Sequence, residues 1–147
     1  MKPLCEAIDL IQDISNTFDG SISIKNPKGK YFFVNENFTK SLGLKKEQII
    51  GKTDLEIFSK ENADRILKFD IEAYEKKRPL HYENFLNING KAMDFFISKW
   101  VVLFTSSDEP FFLCCLTHSI KNKDKVLYFK EKIDSLYDLE LEDCEKI

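Results

Sequence analysis

Residues 80–105 read L-H-Y-E-N-F-L-N-I-N-G-K-A-M-D-F-F-I-S-K-W-V-V-L-F-T. Asn89-Gly90 divides them into two runs rich in aromatic and β-branched side chains. Asn-Gly suits a two-residue turn with positive φ at both central positions, and such a turn joins antiparallel strands. The stretch predicts a hairpin of Leu80–Ile88 and Lys91–Thr105. Beyond the loop Ser106–Pro110, Phe111–Ile120 reads F-F-L-C-C-L-T-H-S-I, apolar at both parities. A strand with one wet face would alternate, so this one is expected to be covered on both sides.

Working back from the hairpin, Ser59–Lys77 carries Ala63, Ile66, Leu67, Asp70, Ala73 and Tyr74 on one helical stripe, and Pro79 closes it. Before it lies I-I-G-K-T-D-L-E-I-F at 49–58. Gly-Lys-Thr is how a phosphate-binding loop ends, but that loop needs a second glycine where this chain has Lys46. Thr53 and Glu56 instead have the spacing of a capping box, which makes the stretch a helix entrance. Residues 45–50 and 53–58 predict two short helices. Asn26-Pro27-Lys28-Gly29 has turn chemistry and joins strands 21–26 and 30–34 in a second hairpin. Asn35 then caps a helix over Glu36–Leu42, which Gly43 stops.

At the ends, Leu4, Ile8, Ile11, Ile14 and Phe18 mark an amphipathic helix over 1–18, the obvious cover for the sheet's second face. Val126, Phe129, Ile133 and Leu136 repeat at 3-4-3 spacing, a coiled-coil-like seam too short to stand alone. Leu4, Ile8, Ile11 and this seam are the candidate dimer interface. The organisation expected is an N-terminal helix over 1–18, one domain over 19–121, and a C-terminal helix with an acidic tail over 122–147. The fold class expected is α+β: a five-stranded antiparallel sheet with short helices on one face, flanked by the two terminal helices.

Composition narrows the function. A chain of 147 residues builds a single core, and a net charge of −3 argues against a nucleic-acid surface. No run approaches the ~20 apolar residues of a membrane span. The start M-K-P-L-C-E-A-I-D lacks a signal peptide's apolar run, so the cytoplasm is expected. The cysteines, at 5, 114, 115 and 144, contain no C-x-x-C pair, and adjacent Cys114 and Cys115 point to opposite strand faces. They read as reduced thiols; no metal site is expected. The Asn37-Phe38-Thr39 sequon has no consequence without secretion. No Ser/His/Asp or Cys/His arrangement has a recognisable spacing, and His81 and His118 read as surface or edge histidines. No catalytic residue is expected.

Two polar residues stand where apolar ones belong. Asp70 lies on the apolar stripe of the long helix, and Lys99 lies inside F-F-I-S-K-W-V-V-L-F. A buried carboxylate is costly unless paired. In one reading Asp70 caps a loop and Lys99 reaches solvent along its stem. In the other, both project into a pocket and fix a polar ligand, with Phe95, Ile97, Phe111, Leu113 and Cys115 as the apolar wall.

The stretches I-K-N-P-K-G-K-Y-F-F-V-N-E-N-F at 24–38, I-I-G-K-T-D-L-E-I-F at 49–58, A-D-R-I-L-K-F-D at 63–70 and the hairpin at Asn89-Gly90, in this order, resemble a PAS domain over residues 18–121. One departure is Asn26, where many relatives carry Asp. The resemblance implies a non-enzymatic sensory module, an input domain of a bacterial regulator, working as a homodimer. It also implies a pocket between the inner sheet face and the long helix, lined here by Ile66, Asp70, Tyr74, Phe95, Ile97, Lys99, Leu113 and Cys115. The pocket takes a small molecule; the alternative is a ligand-free dimerisation or protein-interaction module whose thirteen phenylalanines pack the cavity shut. Flavin photosensors of the family carry a reactive cysteine after a glycine in the region of 51–58, and haem sensors carry a histidine on the long helix. This chain has neither, so no cofactor is expected, and a haem sensor using His81 or His118 is the remotest reading. Partners expected are a second copy, a small ligand and an output domain or protein, without nucleic acid or membrane.

Overall fold

The computed structural model describes residues 2–103 and 111–136, with the backbone alone for 2–8 and 103. The chain order is α1 (Lys2–Thr17), β1 (Ser21–Lys25), β2 (Tyr31–Val34), α2 (Glu36–Leu42), a 3-10 turn (Lys46–Gln48), α3 (Asp54–Ile57), α4 (Lys60–Lys76), β3 (Leu80–Ile88), β4 (Lys91–Leu103), β5 (Phe111–Ser119), a second 3-10 turn (Ile120–Asn122) and α5 (Lys123–Leu127). Residues 130–136 are helical again. The strands form one antiparallel sheet in the order β2-β1-β5-β4-β3. This is the α+β, five-stranded architecture expected.

Local chemistry explains the elements. Asn89 and Gly90 both take positive φ, 53° and 80°, so the β3–β4 turn has the primed geometry that matches strand twist. The amide oxygen of Asn26 accepts from the Lys28 and Lys30 N–H groups at 3.0 Å each, so Asn closes the first hairpin. Asn35 accepts from the N–H groups of Ile22 and Phe38 and donates to the Gly20 carbonyl, capping α2 while fastening it to β1. The Gly-Lys-Thr segment pairs with a strand: Gly51 N–H donates to the Tyr31 carbonyl and Tyr31 N–H to the Lys52 carbonyl. The Glu56 carboxylate accepts from Thr53 N–H at 3.1 Å, which is the helix entrance read from the sequence.

Strand parity divides the sheet. Ile22, Ile24, Phe96, Trp100, Val102, Cys114 and Leu116 form the outer core together with Leu10 and Ile14 of α1 and Phe18 just after it. At Gly20, between α1 and β1, an added Cβ would stand 2.5 Å from the Thr117 carbonyl oxygen, so only glycine allows that close approach.

The C-terminal helix departs from its expected use. Val126, Phe129, Ile133 and Leu136 are 0%, 2%, 0% and 6% exposed, buried within the chain's own core beside Leu10, Ile14 and Phe18. The 3-4-3 pattern marks an apolar face correctly, but that face is taken by the chain's own sheet and α1 and is not open to a second copy. Ile11 is partly buried against the same core. The side chains of Leu4 and Ile8, the loop over 104–110 and the acidic tail over 137–147 lie outside the described residues. Among the described residues no helix is long and apolar enough to cross a membrane.

Candidate functional site

The inner face of the sheet is not packed shut. A cavity of about 190 Å³ lies between it and the helices α2 and α4. Its walls are mostly apolar: Phe38 and Leu42 from α2, Phe58, Ile66 from α4, and Leu86, Phe95 and Ile97 from the hairpin. Polar side chains in the lining are Ser21, Ser23, Lys25, Tyr31, Asn37, Ser41, Lys99, Cys115, Thr117, His118 and Ser119. Such a mixture, apolar walls with a few placed polar groups, is the usual make-up of a small-molecule site.

The polar floor is a four-residue ionic cluster. Lys25 Nζ donates to Asp54 at 2.6 Å and to Asp70 at 2.5 Å, and Lys99 Nζ donates to the other oxygen of Asp70. The second Asp54 oxygen accepts from the Tyr31 hydroxyl at 2.5 Å. Two lysines therefore balance two carboxylates, and the lysine side chains are only 4% and 3% exposed. Burial by itself pushes the Asp70 carboxyl up, but the ammonium groups of Lys99 and Lys25 outweigh it and hold the pKa below the usual carboxylate value. For Lys99, burial pulls down and Asp70 pulls harder the other way, so its pKa lies above the ordinary one. Burial raises Tyr31 well above its ordinary value, and the Asp54 charge adds to that. Cys115 is raised by burial despite nearby Lys99, which keeps it a protonated thiol, 3.4 Å from the Thr117 hydroxyl.

Of the residues proposed from sequence, Ile66, Phe95, Ile97, Lys99 and Cys115 meet at this cavity. Asp70 is not part of its lining: it stands behind the lysines and holds both. Tyr74 lies at the far end of α4, where its hydroxyl donates to the Phe111 carbonyl at 3.3 Å. Leu113 shares the inner face but pairs in register with Lys25 and Val101, and is packed into core at 1% exposure. Lys25 and Asp54 were not foreseen. Lys25 reads as the last residue of a strand before a turn, and Asp54 as an ordinary acid in a helix's first turn. Their sequence separation of 29 hides the pairing.

A second polar line crosses the outer face. His81 Nδ1 lies 2.7 Å from the Ser98 hydroxyl, and Nε2 lies 2.8 Å from Asp134 in the C-terminal helix. Hydroxyl, imidazole and carboxylate in a row resemble an acyl-transfer relay, yet Ser98 is fully buried, with no opening for a substrate. The arrangement ties the helix to the sheet. Among the described residues no group of three or more His, Cys, Asp or Glu has the geometry to hold a metal ion.

Residues 16–123 match the family described as PAS fold. No curated protein matches the sequence. Among solved structures, the chain is similar to the PAS domain of BvgS from Bordetella pertussis, at 12% identity and a TM-score of 0.63, covering 86% of this chain and 98% of that one. It is also similar to VqmA of Vibrio cholerae, solved in complex with ligand and DNA, at 14% identity and a TM-score of 0.62, over 74% of this chain and 49% of that one. A third is the PAS domain of an HTR-like protein from Haloarcula marismortui, at 15% identity and a TM-score of 0.54, over 81% and 96% of the two chains. At these identities the likeness speaks for the fold alone. The chain matches about half of the VqmA chain.

Proposed function

This chain belongs to the PAS family of signalling modules, and from that premise we propose that it is a cytoplasmic, non-enzymatic input domain of a bacterial regulator, which senses a small molecule in the inner-face cavity. The observation that carries the reading is the cavity itself. The chain has thirteen phenylalanines and still leaves about 190 Å³ open beside a buried ionic floor. This weighs against the rival reading of a module packed shut for dimerisation alone. VqmA, similar in fold, is described with a ligand, with DNA and as a dimer, which is consistent with sensing in this chain too.

The cavity's size favours a ligand smaller than a haem or a flavin, since a cavity of about 150 Å³ takes one benzene ring. Both nitrogens of His81 are engaged, and Nε2 of His118 faces Asp19 at 2.9 Å. A freely exchanging small ligand suits the site better than a resident cofactor.

Transmission follows from strand alternation. Ile97 and Lys99 face the cavity, while Ser98 and Trp100 face the outer cover. A ligand that moves β4 also moves Ser98, and through His81 it moves Asp134 in the C-terminal helix. That helix is then a two-state element biased by binding, with an output domain or partner beyond it. Homodimer formation is part of the reading, but since Val126, Phe129, Ile133 and Leu136 are buried within the chain, a partner copy must use surface other than that seam. Size-exclusion with light scattering measures this, and a monomer at high concentration removes it.

The test is native mass spectrometry of the purified protein, followed by denaturation and identification of anything released. A stoichiometric small molecule lost on unfolding is the expected result. A protein that never carries one, from any growth condition or extract, removes the sensor reading.

A further inference from the structure

The floor of the cavity has its charges balanced and a hydrogen bond on each carboxylate oxygen, but its donors are not all used. Asp54 spends one carboxylate oxygen on the Tyr31 hydroxyl and the other on Lys25, and Asp70 spends one on each lysine. An ammonium group has three N–H donors. Lys25 uses two on these carboxylates. Lys99 uses one on Asp70 and directs a long contact of 3.4 Å to the Ile66 carbonyl. Lys99 therefore keeps an N–H with no other partner among the described residues, while the Lys25 ammonium lies over the Tyr31 ring, 5.3 Å from its centroid; both lysine side chains line the cavity.

We infer that the cavity selects a small, uncharged molecule bearing a hydrogen-bond acceptor, such as an amide or ketone carbonyl or a ring nitrogen, and rejects acids and amines of the same shape. The inference rests on reading the cavity as a ligand site. A carboxylate would bring a negative charge against a lysine–aspartate cluster that is already neutral, and the other basic side chain of the lining, His118, already faces Asp19 at 2.9 Å. An amine would add a positive charge beside two lysines, while the carboxylates of Asp54 and Asp70 are matched by those lysines and do not line the cavity. Burying either charge uncompensated is expensive. A neutral acceptor needs only a spare ammonium N–H, and such a charge-assisted bond is stronger than a neutral one. Phe38, Phe58, Phe95 and Ile97 would hold the apolar remainder. A dry cavity of about 150 Å³ takes benzene, so this one suits a single ring, or a chain of like bulk, with a small polar substituent.

The experiment is an amide NMR titration of the full wild-type chain at neutral pH with four probes of one ring each: toluene, benzamide, benzoate and benzylamine. Benzamide is expected to move the amides of Ile97, Lys99 and Cys115, with benzoate and benzylamine about 100-fold weaker or silent, as uncompensated charge requires. Benzoate or benzylamine binding there as tightly as benzamide overturns the neutral-ligand assignment. Toluene binding without benzamide overturns the need for an acceptor. If none of the four perturbs the cavity, the ligand-site reading beneath the inference falls instead, which is a distinct result.

Discussion

The two faces of one sheet are made from alternate residues of the same strands, and they are built on opposite plans. On β4, Phe96, Trp100 and Val102 point outward into a core closed by α1 and the C-terminal helix. Phe95, Ile97 and Lys99 point inward to open space and an ionic floor. The outer face follows the rule of close packing, in which fit is the source of stability. The inner face gives up packing for room and holds its walls apart with paired charges. Strand periodicity therefore lets one element serve stability on one side and selectivity on the other.

The strongest way to break this contrast is to remove Trp100, 1% exposed on the packed face. Trp100→Ala is expected to cost about 3–5 kcal/mol, the range for deleting a large buried aromatic, read by denaturant unfolding followed by circular dichroism. A loss below about 1 kcal/mol would mean that the outer face is not a close-packed core.

The ionic floor is expected to respond differently, because its members matter in pairs. Asp70→Leu leaves Lys99 without its carboxylate and should cost about 3–5 kcal/mol. Adding Lys99→Met restores neutrality, with Lys25 still held by Asp54, and should recover most of that loss in spite of being a second core substitution. Simple additivity of the two changes would show that the cluster is not a unit.

The same cluster sets the pH range. Asp70 has a folded pKa below the ordinary 3.8, so its contribution is complete above that value and is lost as the pH falls through the folded one. Lys99 has a folded pKa above the ordinary 10.5, so its contribution is complete below 10.5 and lost as the pH rises through the folded one. Tyr31, raised above 10.0, acts in the same alkaline direction. Unfolding free energy measured across pH should fall at both extremes. The acid fall should be shallower in the Asp70→Leu/Lys99→Met variant; an identical acid limb would assign it to carboxylates elsewhere.

How much of this could be read beforehand depends on whether the cause is local. The Asn89-Gly90 turn, the Asn35 cap and the span of α4 are fixed by neighbouring residues and were legible. Asp70 and Lys99 were visible as polar residues on apolar stripes, but their counter-ions Lys25 and Asp54 were not. Each sits where a surface charge is ordinary, and only the closing of α3 and α4 over β1 buries them. The seam at 126–136 shows the same limit: spacing reveals that a helix face is apolar and says nothing of what it meets. His81 could not be placed either, since its partners lie 17 and 53 residues away.

The gentlest probe addresses the tie between the two regimes. Asp134→Asn removes the charge that faces His81 and Lys130 and should cost about 1 kcal/mol, while hydrogen exchange quickens over 130–136 more than in β4 or β5. Uniform quickening across the sheet would mean that the contact is not what holds this helix down.

Trp100 has one more consequence, an optical one. It is the chain's sole tryptophan, and its indole N–H is buried without a hydrogen-bond partner among the described residues. The emission of the protein is thus that of a single dry fluorophore, one residue along the strand from the lysine that faces the cavity. Water reaching it would shift the colour to the red, so the lifting of the helical cover can be followed by its own light, with no label attached.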